Sequence, residues 1–172
     1  MFTIKQPSTI IFGKYSAQDY KLPKDSLVIT SVGAKSRGWL EYLKLVDCYH
    51  YDNVESNPSI GTSEQIISEF SDSNFSNIIG VGGGSVLDVA KFAAYKLKKM
   101  KIMVPTTFGS GSEVTRIAVL KVNGKKQSFH DDNIIADIAI VDSYFLQNTP
   151  EIILKNSAID ACAQCTEGFD SK

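Results

Sequence analysis

The stretch IIGVGGGSVLDVAK, residues 78–91, decides the fold. A short apolar run leads into three adjacent glycines, and a helix-like pattern follows them. Adjacent glycines cost backbone entropy, so something must gain from the missing side chains. A helix start carries free N–H groups and the positive end of the dipole, and both attract phosphate. Glycine lets the backbone approach a ligand and take positive φ. Gly82, Gly83, Gly84 and Ser85 are therefore candidate phosphate-binding residues, with Ser85 able to cap the helix or donate to an oxygen. Asp88, one turn in, suits backbone N–H groups or a sugar hydroxyl better than a phosphate. The spacing is neither GxGxxG nor a P-loop, because no GK[ST] follows.

Outward from that turn, β-branched runs alternate with helical patterns. SLVITS (26–31), VDCYHY (46–51), NIIGV (77–81), KIMV (101–104) and IADIAIVD (135–142) read as strands. AKSRGWLEYLKL (34–45) reads as one helix, with Trp39, Leu40 and Leu43 on a single face. Thr62 is the expected cap of the helix over SEQIISEF, with Gln65 at the capping-box position. Asn123-Gly124 predicts a hairpin, and the N-terminal IKQPSTIIFG a short hairpin or edge strand. The alternation implies an α/β fold with a doubly wound, mostly parallel sheet. Pro150 opens a further helix, and no later strand is there to pack it. The expected division is a dinucleotide-binding domain over 1–149 and, over 150–172, the start of a second domain absent here.

The chain has 172 residues and a formal net charge of −1. Without a basic stripe, nucleic acid is an unsuitable partner. No apolar run is long enough for a membrane helix, and no signal-peptide pattern precedes the fold. Three cysteines, 48, 162 and 165, suggest reduced thiols and a cytoplasmic setting.

PTTFGSGSEVT (105–115) is the second unusual stretch. Thr106, Thr107, Ser110, Ser112 and Thr115 offer short hydroxyls on a glycine-bearing turn, suited to polar ligand atoms.

These segments in this order resemble the iron-containing (group III) alcohol dehydrogenase family. Its patterns GGGSxxDxAK, PTTxGTGSEVT and DALxHAIE stand here at 82–91, 105–115 and 160–167. Asn57-Pro58 and IAIVD (138–142) also fit. The resemblance implies a Rossmann-like nucleotide-binding domain followed by an all-helical one, with a divalent metal and the nicotinamide meeting between them. It implies NADP or NAD as cofactor, a small aldehyde or alcohol as substrate, and reversible hydride transfer; a homodimer is expected. Gly82–Ser85 would hold the pyrophosphate, with Thr106, Thr107 and Ser110 at the nicotinamide end. Lys126 would approach the nicotinamide ribose and Leu146 would pack near the ring. Ser31 stands where NAD-preferring members carry Asp, and its neutrality favours NADP(H). Asp160 matches the first ligand of iron or zinc. The next ligand, a histidine one helical turn on, is replaced by Gln164, a weak ligand. The chain alone is therefore not expected to hold a catalytic metal or to turn over. The alternative is a non-catalytic nucleotide-binding fragment or a degenerate relative. Cys162 and Cys165 read as packing residues, and His50 and His130 as structural or surface ones. VLKVNGKKQSF and DACAQCTEG, with the short connection from Lys91 to Pro105, resemble the phosphonoacetaldehyde reductase branch. That branch would reduce phosphonoacetaldehyde to 2-hydroxyethylphosphonate.

Overall fold

A computed structural model describes residues 3–147 and 149–170. In chain order the elements are β1 (Thr9–Phe12), α1 (Ser16–Asp19), β2 (Ser26–Ile29), α2 (Val32–Ser36), α3 (Trp39–Tyr42) and β3 (Tyr49–Tyr51). Then come α4 (Ile60–Phe70), β4 (Asn77–Gly82), α5 (Gly84–Leu97), β5 (Met100–Pro105), β6 (Ile117–Val122) and β7 (Lys125–His130). β8 (Ile138–Val141) and α6 (Glu151–Asp170) follow, with 3-10 turns at Asp132–Ile134 and Ser143–Leu146.

The main sheet runs β1-β8-β5-β4-β2-β3, and every adjacent pair is parallel. Strands β2 and β4 are buried along their whole length, as the continuous apolar runs require for a sheet covered on both faces. One core cluster packs α4 and α5 against Leu27, Ile29, Ile78 and Met103. The other packs Trp39, Leu40 and Phe145 against Val28, Ile79, Val104 and Ile140. Alternate residues of one strand thus feed opposite layers. From β2 the chain moves outward to β3, then returns to build β4 on the other side of β2. The crevice between the C-terminal ends of β2 and β4 is the topological switch point. Antiparallel β6 and β7 form a separate hairpin.

Several boundaries differ from the sequence reading. The N-terminal segment does form the expected edge strand rather than a hairpin, pairing Thr9–Phe12 with Ile138–Val141. The expected helix over 34–45 is broken, because Gly38 adopts φ 69 between α2 and α3. Trp39, Leu40 and Leu43 are nevertheless all buried. Ser59, not Thr62, caps α4, its hydroxyl accepting from the Thr62 N–H at 3.2 Å. Glu55 explains the choice: it accepts from the Ser59 N–H at 2.9 Å and from the Thr62 hydroxyl at 2.7 Å. That contact turns the chain into the helix three residues earlier than Thr62 would. The strands read over 46–51 and 135–142 are shorter than expected, β3 and β8 beginning at Tyr49 and Ile138. Helix α6 does begin just after Pro150 and buries none of its residues.

Lys91 sets the position of the loop between β5 and β6. It is fully buried on α5. Its Nζ donates to the carbonyls of Ser112 at 2.7 Å, Thr115 at 3.3 Å and Ile117 at 2.5 Å. Asp88, one turn earlier, lies 3.6 Å from that ammonium. Burial pulls the Lys91 pKa down, and Asp88 opposes the shift. Lys91→Met keeps the side-chain length but strips three carbonyls, one buried and two half-buried, of this donor. A loss of about 3 kcal/mol in urea unfolding is expected. A variant as stable as the parent rules out the clamp.

Candidate functional site

The glycine turn sits where β4 meets α5, at the switch point. Gly83 is the N-cap of α5 with φ −76 and ψ 178. None of Gly82, Gly83 and Gly84 takes positive φ, so the expectation of left-handed backbone here does not hold. Close approach is the reason for the glycines. A Cβ on Gly82 would lie 2.7 Å from the Val86 side chain. On Gly83 it would lie 3.1 Å from Thr107 Oγ1, and on Gly84 3.0 Å from Ser110 Oγ. The turn is pressed between its own helix and the hydroxyl-rich loop. In that loop it is Gly109 and Gly111 that need positive φ, at 107 and 60.

Ser85 does not cap α5; it lies inside the first turn, and its hydroxyl accepts from the Asn57 N–H at 3.3 Å. The amides of Gly84 and Ser85 have no carbonyl four residues back within the helix. They remain free of intrahelical bonds at the positive end of a 14-residue helix.

Two hollows border this turn, and a third borders the hydroxyl-rich loop beyond it. The first, about 310 Å³, lies between Ser31, Glu55 and Gly83–Val86. Ser31 is the N-cap of α2 and carries no charge into it. Close by, the Arg37 guanidinium folds back to donate to the Gly33 carbonyl at 2.7 Å. Lys35 on the same helix is engaged with Asp52 at 2.5 Å. The second hollow, about 300 Å³, is bordered by Gly84, Ser85, Asp88, Ser110, Lys121 and Lys126. Asn57 and Pro58 close its far side. The third, about 490 Å³ and mostly apolar, lies between Thr107, Phe108, Glu113, Leu146 and Gln164.

Of the residues singled out from the sequence, Gly83, Gly84, Ser85, Ser31, Asp88, Ser110, Lys126, Thr107 and Leu146 border these hollows. Asp88 accepts from the Ser112 hydroxyl at 2.6 Å and the Val119 N–H at 3.1 Å, so it also ties the loop and hairpin to α5. Gly82 lies beneath the turn as the last residue of β4. Thr106 is buried and its N–H donates to the Gly82 carbonyl at 2.9 Å, stitching β5 to the turn. Thr115 directs its hydroxyl to Lys91, at 3.4 Å. Sequence reasoning passed over Lys121 and Glu113. Burial raises the Glu113 pKa, with its own N–H and Lys91 opposing. Nothing in its sequence neighbourhood signals that burial.

Asp160 and Gln164 share one face of α6, and the Gln164 amide donates to Asp160 Oδ1 at 3.2 Å. Asp160 lies against the loop: a Cβ on Gly109 would come within 2.9 Å of its Oδ2. Among the described residues no three His, Cys, Asp or Glu converge. One carboxylate and one amide do not make up the donor set of an iron or zinc site. Cys162 and Cys165 are free and exposed. His50 contacts the Leu45 carbonyl at 2.8 Å, and His130 is exposed on β7. No helix among the described residues is long and apolar enough to cross a membrane.

Comparison with known proteins follows the same segments. The family described as iron-containing alcohol dehydrogenase matches residues 7–143. Long-chain-alcohol dehydrogenase 1 of Geobacillus thermodenitrificans is 35% identical over 142 residues, 70% of this chain and 36% of that protein. The NADPH-dependent aldehyde reductase YqhD of Escherichia coli is 27% identical, with 99% of this chain and 52% of that protein covered. The crystal structure of sulfoacetaldehyde reductase from Bifidobacterium kashiwanohense in complex with NAD+ superposes with a TM-score of 0.92 at 26% identity. That match covers 100% of this chain and 54% of the other. The chain thus spans between about a third and a half of the proteins it matches. With a doubly wound parallel sheet, a glycine turn at its switch point and a family match over most of its length, the chain belongs to the iron-containing alcohol dehydrogenases.

Proposed function

We propose that this chain is the cofactor-binding part of an NAD(P)-dependent oxidoreductase that interconverts a small aldehyde and its alcohol. The observation that carries the reading is the start of α5. Its free amides open at the switch point, where Gly83 and Gly84 present bare backbone between two hollows. A diphosphate placed there meets N–H donors and the helix dipole together. The hollow beside Ser31 takes the adenosine end, and the nicotinamide runs past Ser110 and Thr107 toward Leu146. Asp88, Thr106 and Thr115 serve from behind by fixing the loop that carries those hydroxyls.

The cofactor supplies the hydride. The chain's task is to hold the ring against the apolar hollow bordered by Phe108, Leu146 and Gln164, which admits a small carbonyl compound and limits water. Because Asp160 and Gln164 do not fit a metal on their own, no step is assigned to one. Within the family, phosphonoacetaldehyde is the narrow substrate reading. It rests on the segments VLKVNGKKQSF and DACAQCTEG, and it gains support from a structural neighbour named for sulfoacetaldehyde. Both compounds are acetaldehydes bearing a strong oxyanion.

The Asp160–Gln164 pair favours a second reading, a nucleotide-binding module without turnover. NADPH, acetaldehyde and phosphonoacetaldehyde supplied to this chain, and to a longer natural form that carries it, separate the two. Oxidation of NADPH by the longer form supports the enzyme; binding without turnover in both supports the module.

NADPH is the favoured cofactor, because Ser31 itself brings no charge to the ribose end and the Arg37 guanidinium folds back onto Gly33, two residues on. Ser31→Asp brings a carboxylate toward a 2′-phosphate. Calorimetry should show NADPH weakened about tenfold while NADH is retained or improved. An unchanged ratio removes Ser31 from specificity. Gly84→Val drives a side chain into Ser110 and across the free amides. It should weaken both cofactors at least tenfold while the fold is retained by circular dichroism. Undiminished binding would falsify the diphosphate placement.

A further inference from the structure

The hairpin register sets Lys121 directly opposite Lys126. Like charges facing each other across an antiparallel pair repel. Among the described residues neither ammonium makes a hydrogen bond or an ion pair. Lys121 helps to hold the Glu55 carboxyl below its usual range, yet it is the smallest of the causes. The Glu55 carboxylate is already engaged by Ser59 and Thr62.

Both lysines border the hollow that Gly84 and Ser85 also face. Lys121 is held there by its backbone, its N–H donating to the Pro58 carbonyl at 2.8 Å. Asp88 is the acid bordering the same hollow, and its oxygens are taken up by Ser112 and Val119. The hollow therefore presents two lysines on facing strand positions, without an ion pair among the described residues, beside a helix N-terminus.

We propose that Lys121 and Lys126 form a two-cation clamp for a tetrahedral phosphorus oxyanion. The inference rests on the cofactor reading above and deepens it: Lys121 becomes a binding residue that the motif resemblance assigns to no role. The oxyanion comes from one of two sources, the diphosphate of the cofactor or the phosphonate of the substrate. Either one lies between the ammonium groups and removes their repulsion.

A clamp of this kind makes stability and affinity move in opposite directions. Lys121→Thr keeps a strand-forming residue and deletes one charge. The empty variant should melt about 1–3 °C higher than the parent, since the cross-strand repulsion is gone. Its affinity should fall about tenfold. Lys125→Thr, which removes the same charge from the neighbouring position outside the hollow, should leave affinity within about twofold. ADP and 2-hydroxyethylphosphonate are the probes, titrated by calorimetry into this chain. Weaker ADP binding in the Lys121 variant supports the clamp with the cofactor as source. Weaker phosphonate binding with ADP unaffected supports it with the substrate as source. A lower melting temperature, unchanged affinity for both probes, or an equal loss in the Lys125 variant overturns it. If the parent chain binds neither probe, the clamp and the cofactor reading fail together; if ADP binds and ignores Lys121, only the clamp fails.

Discussion

A buried ammonium holds the candidate site in shape. Lys91 spends its donors on carbonyls of Ser112, Thr115 and Ile117, which lie at the end of one loop and the start of the hairpin. Asp88 takes the matching donors, the Ser112 hydroxyl and the Val119 amide. Two residues on one face of α5 thus fix the end of the glycine-bearing loop and the start of the hairpin. The consequence is local: Thr107 and Ser110 are set against Gly83 and Gly84 at near-contact distance. The glycine turn and the hydroxyl loop are one construction, held by a charge that faces no ligand.

This arrangement changes what the three glycines signify. Left-handed backbone would have made them a matter of turn geometry. Their negative or extended φ makes them a matter of space. Gly82 yields to Val86 of its own helix, and Gly83 and Gly84 yield to the loop. Gly80 does the same one pleat earlier, where a Cβ would lie 2.8 Å from Ala90. The strand and helix therefore pack backbone to side chain along their whole junction. The helix start is rigid before any ligand arrives, which is what a preformed anion site requires.

The sheet and its helices were legible because their signals are local. Continuous apolar runs marked the buried strands, and the alternation with helical periods marked the parallel order. Breaks were harder to see. Gly38 stood in the middle of an otherwise good helical pattern, and the decision to break there belongs to the packing of Trp39 and Leu40 beneath the sheet. The cap of α4 had two hydroxyl candidates three residues apart, and Glu55, outside the helix, chose between them. The hydroxyls of the 105–115 loop were visible as chemistry. The partners of Lys91 and the position of Lys121 were not, since each depends on contacts across more than twenty residues of chain.

Charge distribution links these parts. The chain as a whole is close to neutral, so no general field draws an anionic ligand to it. The attraction has to be local, and the rim of the glycine turn is one place that supplies it. Most lysines and acids there cancel in pairs: Lys35 with Asp52, and Lys91 with Asp88. Glu55 is occupied by hydroxyl and amide donors. The helix start and the two hairpin lysines border one hollow, and neither lysine has an ion pair among the described residues. A local cluster of positive groups attracts an oxyanion where the overall charge does not. The facing of Lys121 and Lys126 is the energetic counterpart of that attraction, since like charges directly opposite across an antiparallel pair are unfavourable.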